Sequence, residues 1–183
     1  MSVNWSEDYR SEYPRVLLSA EQIRKRVQEM ARQISSDFRG KTIHVVGVME
    51  NGFILMADLV RELDLNVVCQ FVKAEFNDAD PSTTEIFFSP EIDVKGRHVL
   101  LVEALVQSGV TSEFLIRNLM GRGAASVKLA VLLDKQSARR VSLQPDYFGF
   151  LMNESFVVGY GLGDRHFGRN LPYIAGRADR VDP

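Results

Sequence analysis

At 183 residues the chain has the length of one domain, 1–183, and enough material for a substantial core. Hydrophobic residues make up 45% and charged residues 25%, the balance of an ordinary globular protein, and a net charge of −2 leaves no electrostatic footprint for nucleic acid or an anionic membrane. No apolar run reaches the ~18 residues of a membrane span, and the polar stretch Met1 to Glu12 lacks the apolar centre of a secretion signal, so the expected location is the cytoplasm.

Ser19 and Gln22 read as a capping box, and Ile23, Val27, Met30, Ala31 and Ile34 then share one helical stripe, which predicts a helix over Ala20 to Phe38, ended by Gly40-Lys41. Thr42 to Val48 reads as a strand, Asn51-Gly52 as a turn and Phe53 to Leu63 as a helix. Asn66 to Ala74 is a second strand; its Cys69, the single cysteine, is expected to be a buried and inert thiol. Asn77 to Thr84 reads as a polar loop and Glu85 to Ser89 as a short strand. Arg97 to Glu103 is a third main strand, Thr111 to Arg122 a helix and Ser126 to Leu133 a fourth strand, with shorter strands at Tyr147 to Phe150 and Phe156 to Tyr160. No internal repeat, low-complexity tract or linker interrupts this order.

Strands alternating with helices imply an α/β fold with a mostly parallel sheet covered on both faces. In such sheets ligands bind beyond the carboxyl ends of the strands. Three such ends, Met49 to Gly52, Glu103 to Thr111 and Asp134-Lys135, are therefore expected to converge on one pocket. The segment Val99-Leu-Leu-Val-Glu-Ala-Leu-Val-Gln-Ser-Gly-Val-Thr111 is the most informative of them. An apolar strand runs into an acid, a small turn follows, and a helix begins. That arrangement gathers backbone N–H groups and hydroxyls at one spot, which suits a phosphate.

This segment resembles the phosphoribosyl-diphosphate loop of type I phosphoribosyltransferases. Three further stretches extend the resemblance to the hypoxanthine–guanine branch: Val45-Val-Gly-Val-Met-Glu-Asn-Gly-Phe53 and onward to Arg61; Val127-Lys-Leu-Ala-Val-Leu-Leu-Asp-Lys135 with Pro145-Asp-Tyr-Phe-Gly-Phe150; and Phe156-Val-Val-Gly-Tyr-Gly-Leu162 with Arg169-Asn-Leu-Pro-Tyr-Ile174. The resemblance implies the type I phosphoribosyltransferase fold, with a twisted, mostly parallel sheet flanked by helices and a small hood formed by the N- and C-terminal parts. It also implies a homodimer or homotetramer, magnesium, and transfer of ribose 5-phosphate from phosphoribosyl diphosphate to hypoxanthine or guanine.

Carried over position by position, the resemblance assigns Gln107, Ser108, Gly109, Val110 and Thr111 to the 5′-phosphate cradle and Glu103 with Ala104 to the ribose. Lys135 would meet the purine 6-oxo group, Phe156 would stack on the base and Val157 would read its edge through the backbone. Glu50, Asn51 and Arg169 fall at the pyrophosphate, and Glu103 with Asp164 at the metal. Several positions depart from the family pattern. Ala104 replaces the second acid, and a methyl group accepts no hydrogen bond and ligates no cation. Gln107 stands at the general acid/base aspartate, and an amide does not titrate near neutrality. Glu50-Asn51 replaces Lys-Gly and puts a negative side chain where a polyanion should rest. Gly163 stands at the late metal aspartate, with Asp164 one residue on as a substitute. Glu75-Phe76 replaces the Ser-Tyr pair of the lid.

What survives binds phosphate and purine; what departs serves pyrophosphate, metal and proton transfer. The sequence reading is thus a protein that binds purine nucleotide with weak or lost transferase activity, in the role of a sensor or of a partner to an active paralogue. The alternatives are an active purine-salvage transferase with compensating residues, and an enzyme of the same fold with another substrate.

Overall fold

The computed structural model describes residues 13–77, 80–88, 92–163 and 167–177. Its main sheet has six strands in the order β4-β3-β2-β5-β6-β7: β2 (Thr42–Met49), β3 (Asn66–Asn77), β4 (Asp80–Phe88), β5 (His98–Val106), β6 (Ser126–Asp134) and β7 (Tyr147–Leu151). Neighbours run parallel except at the β3–β4 edge. Helices α1 (Ala20–Asp37) and α2 (Phe53–Glu62) lie on one face, and α3 (Val110–Gly121) lies on the other. A separate antiparallel sheet, in the order β1-β9-β8, joins β1 (Arg15–Leu18), β8 (Val157–Val158) and β9 (Ile174–Gly176). This is the small hood.

The central strands are apolar at successive positions because both faces are covered. Leu100 and Val102 on β5 point towards α1 and α2, while Val99 and Leu101 point towards α3, and all four are fully buried. Helix α1 starts where the capping box predicts: Ser19 Oγ accepts from the Gln22 N–H at 3.2 Å, and Gln22 Oε1 accepts from the Ser19 N–H at 2.8 Å. Its stripe of Ile23, Val27, Met30, Ala31 and Ile34 is the buried face. No helix among the described residues is long and apolar enough to cross a membrane.

Three sequence expectations are corrected. The polar stretch expected to loop out at Asn77 to Thr84 is mostly strand. β4 begins at Asp80 and pairs antiparallel with β3, from Asn77↔Asp80 to Val72↔Phe88. Its Pro81 is tolerated because β4 is the edge of the sheet. Cys69 is exposed rather than buried. Val68 and Phe71 on the same strand are exposed as well, so β3 is left partly uncovered. The strand expected over Phe156 to Tyr160 shrinks to Val157–Val158, because Gly159 (φ 105°), Tyr160 (φ 48°) and Gly161 (φ 92°) take left-handed backbone conformations that end an extended run.

Leu101 has no exposed surface and packs between α3 and β6. Leu101→Ala is expected to lower the unfolding free energy by about 2–5 kcal/mol, measured by chemical denaturation, with the lost burial and the residual cavity both contributing.

Candidate functional site

The carboxyl ends of β2 and β5 open on a cavity of about 300 Å³. Val48, Met49 and Asn51 line it from β2 and its turn, Glu103, Leu105 and Val106 from β5, and Gln107, Ser108, Gly109, Thr111 and Ser112 from the following turn and α3. The structure therefore brings two of the three expected strand ends together on this cavity. The third, Asp134-Lys135, stands behind it. A larger cavity of about 400 Å³ lies between α1, α2 and the segment 169–172. Arg169 is on its wall, but it contains none of the cradle, and the site is assigned to the smaller one on chemical grounds.

Gly109 begins α3 with φ +79°, a left-handed conformation. A Cβ there would also sit 3.0 Å from Val141 Cγ2 and 3.1 Å from Arg139 Cδ. Glycine is thus needed for the backbone conformation, and a Cβ would also push the Val141 and Arg139 side chains by a few tenths of an ångström. The first N–H groups of the helix have no intrahelical partners and carry the positive end of the helix dipole. Ser108 Oγ accepts from the Val110 N–H at 3.4 Å. Val110 itself projects outward, 49% exposed, and contributes backbone only.

Glu103 is buried, and its Oε1 has no hydrogen-bond partner among the described residues. Burial pushes its carboxyl up to about 7, against the opposing effects of a hydrogen bond with Ser112 and the charge of Arg139. Ala104 faces the other way, into the apolar core under α1 and α2, and is 1% exposed. It therefore does not join Glu103 at the expected ribose position, because successive residues of a strand alternate faces.

At the positions expected to meet the base, Lys135 Nζ donates to the Glu154 carbonyl at 2.8 Å, and Phe156 and Val157 lie two and three residues further on. Phe156 is 39% exposed, with the Tyr13 ring 6.0 Å away and tilted by 36°. Val157 is buried in the hood. Arg15 reaches across from β1 to Glu154 Oε2 at 2.8 Å. Tyr13, Arg15 and Glu154 were not legible as site residues, since nothing local marks a terminal strand as the neighbour of a distant loop.

Arg169 is expected at the pyrophosphate, but the chain already occupies it. Its Nη1 donates to Asn51 Oδ1 at 2.5 Å and to the Gly161 carbonyl at 2.8 Å, and its Nη2 pairs with Glu50 Oε2 at 3.2 Å. Gly163 has no room for the aspartate of the family pattern, since a Cβ there would lie 2.5 Å from the Phe167 carbonyl oxygen. Asp164 and the side chains of Glu75 and Phe76 lie outside the described residues. Among the residues lining the cavity, Glu103 is the one hard anionic donor. Magnesium commonly takes one or two carboxylates together with ligand phosphate oxygens, so this donor set fits an ion brought in by a phosphorylated ligand.

A parallel sheet with helices on both faces, a strand–turn–helix anion cradle beyond its carboxyl edge and a small second sheet together define a type I phosphoribosyltransferase. The phosphoribosyl transferase domain model matches residues 16–165. Hypoxanthine-guanine phosphoribosyltransferase of Bacillus subtilis is 34% identical over 163 residues, covering 87% of this chain and 91% of that protein. The Streptococcus pneumoniae protein of the same name is 36% identical over 163 residues, with the same two coverages of 87% and 91%. The crystal structure of a hypoxanthine-guanine phosphoribosyltransferase (hpt-2) from Bacillus anthracis superimposes with a TM-score of 0.86 at 33% identity, covering 91% of this chain and 99% of that one. The bifunctional TilS/HprT protein of Listeria innocua is 32% identical over 176 residues, and the chain spans 27% of its length. The chain belongs to the hypoxanthine–guanine phosphoribosyltransferase family.

The raised carboxyl of Glu103 gives a pH dependence with a definite sign. A folded-state value of about 7 against 4.5 means that the folded protein holds a proton the unfolded chain has released. The contribution to stability is full below about pH 4.5 and is lost as pH rises through about 7, by something on the order of 3 kcal/mol. Glu103→Gln is expected to flatten this part of the stability–pH curve, measured by denaturant titration between those limits.

Proposed function

We propose that this chain binds purine nucleoside monophosphate through the cradle of Ser108, Gly109 and Thr111, and that its phosphoribosyl transfer is weak or lost. The observation that most supports this is the engagement of Arg169 by Glu50 and Asn51. A diphosphate would have to displace a carboxylate that already neutralises the guanidinium, and would then meet that carboxylate's charge. Gln107 adds a second obstacle: loss of a positioned acid/base costs about 10²–10⁴ in rate. In the implied reaction a magnesium ion neutralises the diphosphate, and Glu103 would hold it together with the ligand's own oxygens. Glu103 would also accept from ribose hydroxyls, Lys135 would donate to the 6-oxo group and Phe156 would offer its ring to the base.

A second reading is an active salvage enzyme making inosine or guanosine monophosphate from hypoxanthine or guanine and phosphoribosyl diphosphate. The comparisons favour it: the two relatives of that name are 34% and 36% identical to this chain over nearly all their length. Nucleotide formation separates the two readings. The first expects a wild-type kcat far below about 1 s⁻¹, and a value at or above it hands the case to the second. The paired change Gln107→Asp with Glu50→Lys is expected to raise the rate above either single change, because both act on one transition state. Ala104→Asp is a poor addition, because the Ala104 site is apolar core and a new carboxylate there would be buried without a partner.

Binding is tested separately. A nucleoside monophosphate is expected to raise Tm by mass action, and the free nucleoside much less. Equal shifts from both, or none from either, refute the cradle.

A further inference from the structure

Four successive carbonyl oxygens of the cradle turn are held by hydrogen bonds. Val106 accepts from the Lys135 N–H at 2.9 Å, Ser108 from the Arg140 N–H at 2.9 Å and Gly109 from the Glu113 N–H at 2.9 Å. Gln107 accepts from Arg139 Nη1 at 3.0 Å, and it is the one of the four fixed by a side chain. Three of the donors come from the short segment 135–140 behind the cavity.

We propose that Arg139 is a positioning residue of the phosphate cradle, holding the Gln107 carbonyl away from the cavity so that the N–H groups of the turn and of α3 face the bound anion. The proposal rests on the reading that this cradle takes a 5′-phosphate. The other end of the guanidinium pairs through Nη2 with Asp134, whose carboxylate is 1% exposed and also accepts from Gln136 Nε2 at 3.1 Å. Arg139 is itself 13% exposed. One rigid, planar fork thus joins a fixed carboxylate at the end of β6 to the backbone of the turn. The contact is close as well as polar, since a Cβ on Gly109 would lie 3.1 Å from Arg139 Cδ, inside ordinary van der Waals contact. A salt bridge serving stability alone would end at Asp134. The second arm, on a carbonyl inside the turn, ties the pair to the geometry of the site. If that arm is lost, the Gln107 carbonyl is free to swing its negative end towards the phosphate.

Arg139→Lys is the discriminating variant. An ammonium group keeps a charge for Asp134 but lacks the fork that reaches both partners. The readouts are calorimetric Kd values for guanosine 5′-monophosphate and for guanosine, with Tm in parallel. The expected result is an affinity for the monophosphate lowered about tenfold or more, with that for guanosine little changed. Equal losses for the two ligands, or no loss for either, overturn the proposal. The double variant Arg139→Met with Asp134→Asn removes the pair without stranding a buried charge, and it is expected to give the same selective loss if Arg139→Lys does not fold. Wild-type protein that holds guanosine 5′-monophosphate no more tightly than guanosine overturns the cradle reading itself, and this proposal with it.

Discussion

A turn of backbone amides holds an anion only if its carbonyl oxygens are kept elsewhere. Each peptide carries a donor and an acceptor pointing in opposite directions, and in a short loop both are mobile. Here each carbonyl from Val106 to Gly109 has a partner on the side away from the cavity, or further along the helix. Three of the partners lie in the segment that directly follows the buried strand β6, and the fourth is in the first turn of α3. The segment after β6 and the first turn of α3 therefore set the direction of four peptide dipoles, which on the proposed reading makes this strand end a receptor for negative charge. Glycine at position 109 follows from the same constraint, since the turn must both pass through a left-handed conformation and lie flat against Arg139.

Around that receptor the charges are arranged unevenly. The one acid that lines the cradle's cavity is Glu103, which burial keeps largely protonated below neutrality. At the β2 turn the balance is reversed: Arg169, 23% exposed on its side chain, is matched by Glu50, 53% exposed. Exposed ion pairs contribute little to stability. This one matters for what it occupies rather than for the energy it adds. The cradle's cavity thus has a single acid on its wall, while at the neighbouring β2 turn the protein supplies its own counter-charge to Arg169.

The sheet was legible in the sequence because its central strands carry continuous apolar runs, as with Val99 to Val102, and a strand covered on both faces needs that. The strand–turn–helix at Val99 to Thr111 was legible because an apolar run, a Ser-Gly turn and a helical pattern follow one another there. What stayed hidden depended on non-local geometry. The burial of Ala104 follows from the alternation of β5, yet which face carries the ligand cannot be read locally. Cys69 sits in a run as apolar as its neighbours, and its exposure depends on how much of β3 is covered. The pairing of Glu50 with Arg169 spans most of the chain. Arg139 carried a weak local signal, an arginine five residues past a strand-end aspartate, but nothing in the sequence shows that its second arm returns to the turn.

The small hood sheet has a consequence for how the protein is made. Among the described residues β1 pairs with β9 alone, with Arg15 opposite Gly176 and Leu18 opposite Ile174, so a segment made before the whole large sheet waits for one made after it. Contacts between such distant segments close late, after the local strand–helix–strand units. A nascent chain synthesised through β7 already contains every strand of the large sheet and the whole cradle. The wall holding Tyr13 against Phe156, and Arg15 against Glu154, is assembled only when the C-terminal strand arrives. During synthesis, the turn between β5 and α3 is therefore complete before the hood that carries Phe156 is closed.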